Sequence, residues 1–240
     1  MKIHTLLVIS SLGLAGLANA DYDFNNYGNE PFVFFFNYSV GTPPNGSTMQ
    51  DILWGGAGNP GGFYEFRGTW NAGTYEVIGG MSADQWYADQ TASEWISSID
   101  VTTDYRKNAG GTNLAPQIII TQGNRIYAAD LAANTGAINT WLTVTKHLTA
   151  ADFYELPGGF NGWGIGQHDM NSHPDFSSTS GTGINPYLGS DMFSTTSVAA
   201  GSAKMQYDNY LIHVNTVPEP VTSLAMVAGL AGLMIRRRKA

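Results

Sequence analysis

The chain has 240 residues, a formal net charge of −8, only 12% charged residues, 29 glycines and no cysteine. The lack of cysteine excludes disulfides, thiol catalysis and thiolate metal sites. The acidic balance makes nucleic acid and anionic lipid poor partners. Many glycines and aromatics beside few charges favour short strands joined by turns, so we predict an all-β protein.

The N-terminus has the pattern of an export signal. Lys2 precedes an apolar stretch over residues 6–17, and Ala18 and Ala20 supply the small residues that signal peptidase requires. We therefore expect residues 1–20 to be removed and the mature chain to begin at Asp21. Region 21–216 is then about 200 residues, an ordinary length for one β domain.

Strand patterns recur along region 21–216 without a long helical period. Residues 63–69 and 74–79 flank Asn71 and Gly73, which predicts a hairpin turn. A short helix is expected to begin near Ser82, where the spacing permits a capping box. Including these two, eight or more strands are predicted, with the others at 32–36, 98–105, 117–121, 125–129, 141–147 and 206–215.

Two groups of polar residues are candidates for a metal site or a catalytic site. The segment 168–175 holds two histidines and two aspartates, which suits either a transition-metal site or a solvated loop. Glu65 and Glu76 lie on neighbouring predicted strands, as the two carboxylates of a glycosidase would. Glu65 also shares a strand face with Arg67, which suits a surface ion pair. No catalytic residue is assigned, and the protein is predicted not to be an enzyme.

The C-terminal segment 217–240 contains three elements in order. Pro218, Glu219 and Pro220 come first, then the uncharged run 221–235, then the basic cluster 236–239. The run is shorter than the roughly 20 residues that span a bilayer without strain. The basic cluster would hold the C-terminus on the cytoplasmic side.

This arrangement resembles the PEP-CTERM sorting signal. The resemblance implies cleavage near the Pro-Glu-Pro by an exosortase-like membrane protease, after transient residence in the inner membrane. Signal peptidase and this protease are the expected partners, and the cell surface or extracellular matrix is the expected destination. A plain C-terminal membrane anchor is the alternative.

The second half of the mature region resembles the galactose-binding-like jelly roll of carbohydrate-binding modules. The resemblance rests on the strand patterns at 97–101, 116–120 and 141–145 and on the closing segment 207–214, which begins with Tyr-Asp-Asn. It implies a jelly-roll β-sandwich with an exopolysaccharide as its partner. It also implies a structural Ca²⁺, for which Asp208, Asp23 and Glu30 offer oxygen ligands. Alternation places Asp208 on the same strand face as Tyr210, and it places Ile99, Val101 and Tyr105 on the apolar face of the strand 98–105. The simpler alternative for Asp208 is that it caps a turn or pairs with a basic residue.

Tryptophans in glycine-rich segments are the candidates for sugar contact. Trp54 and Trp163 are the first choices, because an exposed indole in a polar loop forms an apolar patch. A place in the core is the competing interpretation. Three functions remain open: a non-catalytic polysaccharide-binding module, a divergent glycoside hydrolase or lyase, and a structural or adhesive matrix protein.

Overall fold

The computed structural model describes residues 22–25, 32–42, 48–58, 61–83, 94–108, 113–133, 138–156, 166–177 and 183–218. Thirteen strands lie in these residues: β1 Tyr22–Asn25, β2 Phe32–Thr42, β3 Thr48–Gly58, β4 Gly61–Trp70, β5 Gly73–Ala83, β6 Glu94–Asn108, β7 Asn113–Leu114, β8 Gln117–Gln122, β9 Arg125–Asp130, β10 Ile138–Leu148, β11 Tyr154–Glu155, β12 Asn185–Val198 and β13 Gly201–Pro218. A 3-10 turn spans Ala150–Asp152.

The strands form two antiparallel sheets. Sheet A has the order β10-β6-β13-β4-β3, with β1 paired to β13, and sheet B has the order β11-β9-β8-β12-β5-β2, with β7 paired to β12. The predicted all-β class is therefore confirmed, as a β-sandwich. Within the described parts of the chain, no helix has the length and apolar character needed to cross a membrane.

The core lies between the sheets and is filled by alternate residues of the strands. Ile99 and Val101 of β6 contribute from sheet A, and Val77, Ile118 and Met192 contribute from sheet B. Fully burying an aliphatic side chain of this size stabilises a fold by roughly 1.5–3 kcal/mol. Alternation of apolar and polar residues thus determines which face of each strand packs inward.

The predicted strands all fall within observed strands, but β1, β3, β7, β11 and β12 were not predicted. Ser82 itself lies in β5, and residues 84–93, where the expected short helix would continue, are outside the described residues. The predicted hairpin is wrong. Strands β4 and β5 do not form a hairpin, because β4 pairs with β3 and β13 while β5 pairs with β2 and β12. Trp70 and Tyr75 both face the core and stack on each other, so the turn carries the chain from one sheet to the other.

A β-bulge interrupts β13. Asn209 has φ 46°, and the register with β6 shifts between Asp208 and Leu211. Tyr207 and Tyr210 therefore both face the core, although they are three residues apart. A bulge of this kind reverses the alternation of faces along a strand.

A second, smaller apolar cluster lies on the outer face of sheet B. Its strand residues are Ile78, Ile119, Ile126, Ala128 and Tyr187, and Tyr154 and Leu156 complete it. Segment 166–172 runs beside it, because Asp169 forms a β-bridge with Glu155. The segment 166–172 therefore covers this part of sheet B and lies over strands β5 and β12.

Candidate functional site

Several predicted site residues lie outside the described residues: Ala18, Ala20, Glu30, Trp163, Glu219 and Pro220. Trp54 lies in β3, and Pro218 is the last residue of β13. The described part of β13 therefore reaches the first residue of the Pro-Glu-Pro motif. The predictions for sugar contact by Trp54 and Trp163 and for processing stay predictions.

The two described carboxylates of the expected calcium set have different partners. Asp208 Oδ1 accepts a hydrogen bond from the Asn209 N–H at 2.8 Å, and Asp208 lies opposite Asp104 in the register of β13 and β6. Asp23 forms an ion pair with His213, five positions further along β13. The bulge also places Asp208 on the face opposite Tyr210, whereas the simple alternation predicted the same face. Among the described residues, Asp208 and Asp23 are therefore not brought to one ion.

The outer face of sheet A carries a stack of aromatic rings around an arginine. The guanidinium carbon of Arg106 lies 4.8 Å from the ring centroid of Trp141 and 5.6 Å from that of Phe63. The two rings meet edge to face at 5.9 Å. Arg106 Nε also donates to Gln206 Oε1 at 2.6 Å. Cation–π contact and this hydrogen bond together hold the guanidinium in place.

Beside this group, the outer face of sheet A carries side chains of opposite charge that form ion pairs. Gln206 Nε2 donates to Glu65 Oε2 at 2.6 Å, and Arg67 Nη2 lies 2.7 Å from Glu65 Oε1. Lys204 Nζ lies 3.5 Å from the same oxygen. The predicted Glu65–Arg67 ion pair is therefore present, although Glu65 itself is buried. Glu65 and Glu76 lie in different sheets, each on a face away from the core, so they do not flank one bond.

A cluster of three ionisable residues lies on the outer face of sheet B. Glu76 is on β5, Asp191 is on β12 and His168 comes from the covering segment 166–172. His168 Nε2 lies 2.9 Å from Asp191 Oδ2 and 4.0 Å from Glu76 Oε1. Both carboxylates are almost completely buried, at 1% and 3% exposure.

The imidazole of His168 is held on two sides by aromatic rings. The ring of Tyr154 stacks on it with centroids 4.9 Å apart and an interplanar angle of 14°. Phe193 meets it edge to face at 5.4 Å. Tyr154 is fixed in turn, because its hydroxyl donates to Asp130 Oδ1 at 3.0 Å and accepts from Gln117 Nε2 at 2.9 Å.

Glu76 is oriented by the backbone of the covering segment. The Gly166 N–H donates to Glu76 Oε2 at 2.9 Å. Gly166 has φ +67°, and a Cβ at this position would lie 2.6 Å from Cε2 of Phe193. Only glycine therefore lets the backbone lie against Phe193 of β12 in the position where its N–H bonds to Glu76 of β5.

Burial and mutual charge shift the protonation of all three groups. Burial, followed by the nearby charge of Asp191, raises the pKa of Glu76 to about 8, although the Gly166 N–H and His168 each oppose this shift to a smaller extent. Burial also raises the pKa of Asp191. Burial opposes protonation of His168, but its hydrogen bond to Asp191 and the charge of both carboxylates outweigh this, so the pKa of His168 is raised.

The segment 168–175 does not form a site by itself. His173 Nδ1 lies 2.6 Å from the carbonyl oxygen of Phe153, and Asp169 Oδ1 accepts from the Asn171 N–H. Asp175 Oδ1 accepts from the Ser177 N–H. Of this segment, His168 alone turns toward the two buried carboxylates. The two histidines and two aspartates that the sequence pattern suggested as ligands of one metal are therefore not brought together.

The cluster is not visible as a local pattern in the sequence, because its residues come from three distant parts of the chain. A signal was present in the strands themselves. Glu76 stands beside Val77 and Ile78, and Asp191 stands beside Met192 and Phe193. An acidic residue inside an apolar strand needs a partner if its face is covered. What the sequence does not reveal is that the segment around His168 covers that face.

Comparisons with known proteins identify no family. No protein-family model matches the chain, and no curated protein matches it. One solved structure that aligns with it is described as "Structure of infectious bursal disease virus Gt strain", with 8% sequence identity and a TM-score of 0.18. The alignment covers 78% of this chain and 42% of that viral chain, so this chain spans less than half of its length. A similarity this low gives no information on the fold or activity of this protein.

Proposed function

We propose that the protein is exported, sorted by an exosortase-like protease and retained at the cell surface or in the extracellular matrix, where it binds polysaccharide without catalysis. The order of motif, apolar run and basic cluster supports the sorting step. The jelly-roll topology of the sandwich, the removal of residues 1–20 as a signal peptide and a helical conformation of the run 221–235 belong to the same proposal.

The observation that carries the binding proposal is the stack of Trp141, Arg106 and Phe63 on the outer face of sheet A. Trp141 is partly exposed, and Arg106 keeps its guanidinium against the indole. An indole offers a flat apolar surface to the C–H face of a pyranose ring, while a fixed guanidinium donates to sugar hydroxyls. Fixing both groups beforehand lowers the entropy that binding would cost.

The length of this face supports a polymer as the ligand. Trp95, which is 39% exposed, lies near the start of β6, and alternation from the buried Ile96 places it on the outer face. Arg106 is eleven positions further along β6, a distance of about 35 Å at the rise of a strand. A surface of this length suits several consecutive sugar units.

Affinity electrophoresis of the mature chain in gels containing exopolysaccharide from its host tests the binding proposal. We expect the wild-type protein to be retarded and Trp141→Ala to bind about tenfold more weakly, a loss of ~1.4 kcal/mol. Leu142→Ala is the matched control, because Leu142 is exposed on the same strand but points to the other face. Equal effects of both variants would contradict the proposal. Absence of retardation together with concentration-dependent self-association would favour the adhesive alternative.

The sorting step has its own test. Intact mass of the protein recovered from its host is expected to show a chain that begins at Asp21 and ends near Pro220. A chain that still carries residues 236–240 would mean that the tail is a permanent anchor.

A further inference from the structure

We propose that Glu76, His168 and Asp191 bind a divalent transition-metal ion of the zinc class, which fastens the segment 166–172 to strands β5 and β12. The site lies on sheet B and does not depend on polysaccharide binding by sheet A. The unsatisfied atoms, the charges and the geometry of the three residues support this site.

Two buried carboxylate oxygens in the cluster have no hydrogen-bond partner: Glu76 Oε1 and Asp191 Oδ1. The other oxygen of Glu76 accepts from the Gly166 N–H, and the other oxygen of Asp191 lies against His168. Each residue is thus held by one oxygen while the second accepts no hydrogen bond. A buried polar atom left without a partner costs about 1–3 kcal/mol, so two in one cluster indicate a missing ligand.

A cation could replace the protons that otherwise neutralise the cluster. Within the described parts of the chain, both carboxylates form their ion pairs with the same group, His168. One imidazolium offsets one carboxylate, so without a metal the cluster is neutral only when Glu76 also carries a proton, as its raised pKa indicates. Buried charges are paired or coordinate metals, and a dication bound to the neutral imidazole would neutralise both carboxylates in place of these protons.

The geometry fits one ion bound by three side chains. One donor atom from each residue lies within 4.8 Å of the others, and His168 Nε2 is 2.9 Å from Asp191 and 4.0 Å from Glu76. Donors bound to a single zinc ion at ~2.0–2.2 Å lie about 3–4 Å apart. Small side-chain shifts therefore convert the observed arrangement into a ligand set, with a water able to complete the coordination.

The donor types select the class of metal. Two carboxylates and one imidazole suit zinc, manganese and related dications, whereas calcium prefers a shell made only of oxygen ligands. Tyr154 and Phe193 pack against the imidazole of His168 and hold its ring beside the two carboxylates. The cluster is therefore prearranged to bind.

Titration calorimetry of the full-length chain, purified in mild detergent and stripped with a chelator, tests the proposal. We expect Zn²⁺ to bind at one equivalent and to raise the melting temperature, with Ca²⁺ at the same concentration giving no such rise. Co²⁺ should give visible absorption bands of a site with nitrogen and oxygen ligands. Absence of saturable Zn²⁺ binding by the folded wild-type protein would overturn the proposal.

Conservative variants assign the binding to these residues. Glu76→Gln, Asp191→Asn and His168→Gln keep side-chain size and are each expected to weaken Zn²⁺ binding by more than about tenfold. His147→Gln is the matched control, because His147 is exposed on β10. One equivalent bound with unchanged affinity in all three variants would contradict the assignment.

A backbone variant tests the site without changing a ligand. Gly166→Ala would collide with Phe193, displace the covering segment and weaken Zn²⁺ binding. Gly123→Ala introduces the same kind of backbone strain, at φ +59°, in the exposed turn between β8 and β9. Only the Gly166 variant should lose affinity, and equal affinities in the two variants would contradict the role of the segment 166–172.

Discussion

The indole of Trp70 lies flat against the phenol ring of Tyr75, with ring centroids 4.4 Å apart and the planes 6° from parallel. Trp70 ends β4 in sheet A, and Tyr75 lies in β5 of sheet B, so the stack joins the two sheets where the chain crosses between them. Trp70 Nε1 also donates a hydrogen bond to the Ala199 carbonyl at 3.1 Å. The indole thereby ties the turn between β12 and β13 to the same end of the sandwich.

Trp70→Ala is expected to lower the free energy of unfolding by about 3–5 kcal/mol, because it leaves a cavity between the sheets. Trp70→Phe keeps a ring for stacking but loses the hydrogen bond to Ala199, so its loss should be smaller. Urea unfolding of each variant measures both values. Leu142→Ala, at a residue 41% exposed, is expected to stay within about 0.5 kcal/mol of wild type. A Trp70→Ala loss as small as that of the control would contradict a joining role.

Lys107 offers a pH-dependent test of burial. Its side chain is fully buried, and Nζ donates to the carbonyl oxygen of Leu114 at 2.9 Å. Burial lowers the pKa of Lys107 more than the charge of Asp130 raises it. An amine with a lower pKa in the folded chain holds fewer protons there than in the unfolded chain. Burial of the charged amine therefore lowers the free energy of unfolding by its full amount below the folded pKa. This loss of stability disappears as the pH rises toward the ordinary value of 10.5.

We expect the free energy of unfolding of the wild type to rise relative to Lys107→Met as the pH increases toward 10.5. Groups shared by the two proteins cancel in this difference, so the comparison isolates the buried amine. Unfolding by urea at several pH values measures it, and Lys146→Met, at an exposed residue, is the control. A difference that stays flat over the whole range would contradict a lowered pKa.

Eight of the thirteen strands could be predicted from the sequence because each has enough alternating or continuous apolar residues to show its period. Five were not predicted: β1, β7 and β11 have four residues or fewer, and glycine and aspartate interrupt the apolar pattern of β3 and β12. The partners of a strand could not, since the turn at Asn71 and Gly73 is compatible with a hairpin and with a crossing between sheets. The contact between Trp70 and Tyr75 decides for the crossing. Pairing is set by packing over long sequence distances, and a local pattern does not report it.

The faces of residues were predicted correctly only where alternation is unbroken. In β6 the residues Ile99, Val101 and Tyr105 point into the core as expected. In β13 the bulge at Asn209 reverses the alternation, so the predicted face of Asp208 was wrong. A bulge leaves little trace in a sequence beyond an asparagine that tolerates positive φ. The cluster around His168 was missed for a related reason, since it depends on which segment covers a sheet.

The buried ion pairs of Glu65 are expected to contribute more to the free energy of unfolding than an exposed ion pair. Glu65 lies within ion-pairing distance of Arg67 and Lys204, and its carboxylate is only 2% exposed. Glu65→Ala is expected to cost about 2–3 kcal/mol, because two cations and the Gln206 amide lose their acceptor in a covered site. Arg125→Ala removes a pair whose guanidinium is 61% exposed, and it should cost no more than about 1 kcal/mol. Chemical denaturation of the two variants compares them, and similar losses would contradict the distinction.

Two substitutions of Asn209 distinguish the contribution of its backbone conformation to stability from that of its side-chain hydrogen bond. The φ of 46° at Asn209 is tolerated by asparagine and glycine but is strained for a β-branched residue, and Asn209 Nδ2 donates to Asp104 Oδ2 at 2.8 Å. Asn209→Gly keeps the permitted backbone and loses the amide hydrogen bond, so we expect a cost of about 1 kcal/mol. Asn209→Val loses the same bond and adds strain of about 1–2 kcal/mol. Urea unfolding measures the two losses. If they were equal, the conformation at residue 209 would not be what requires asparagine, and the hydrogen bond to Asp104 alone would account for it.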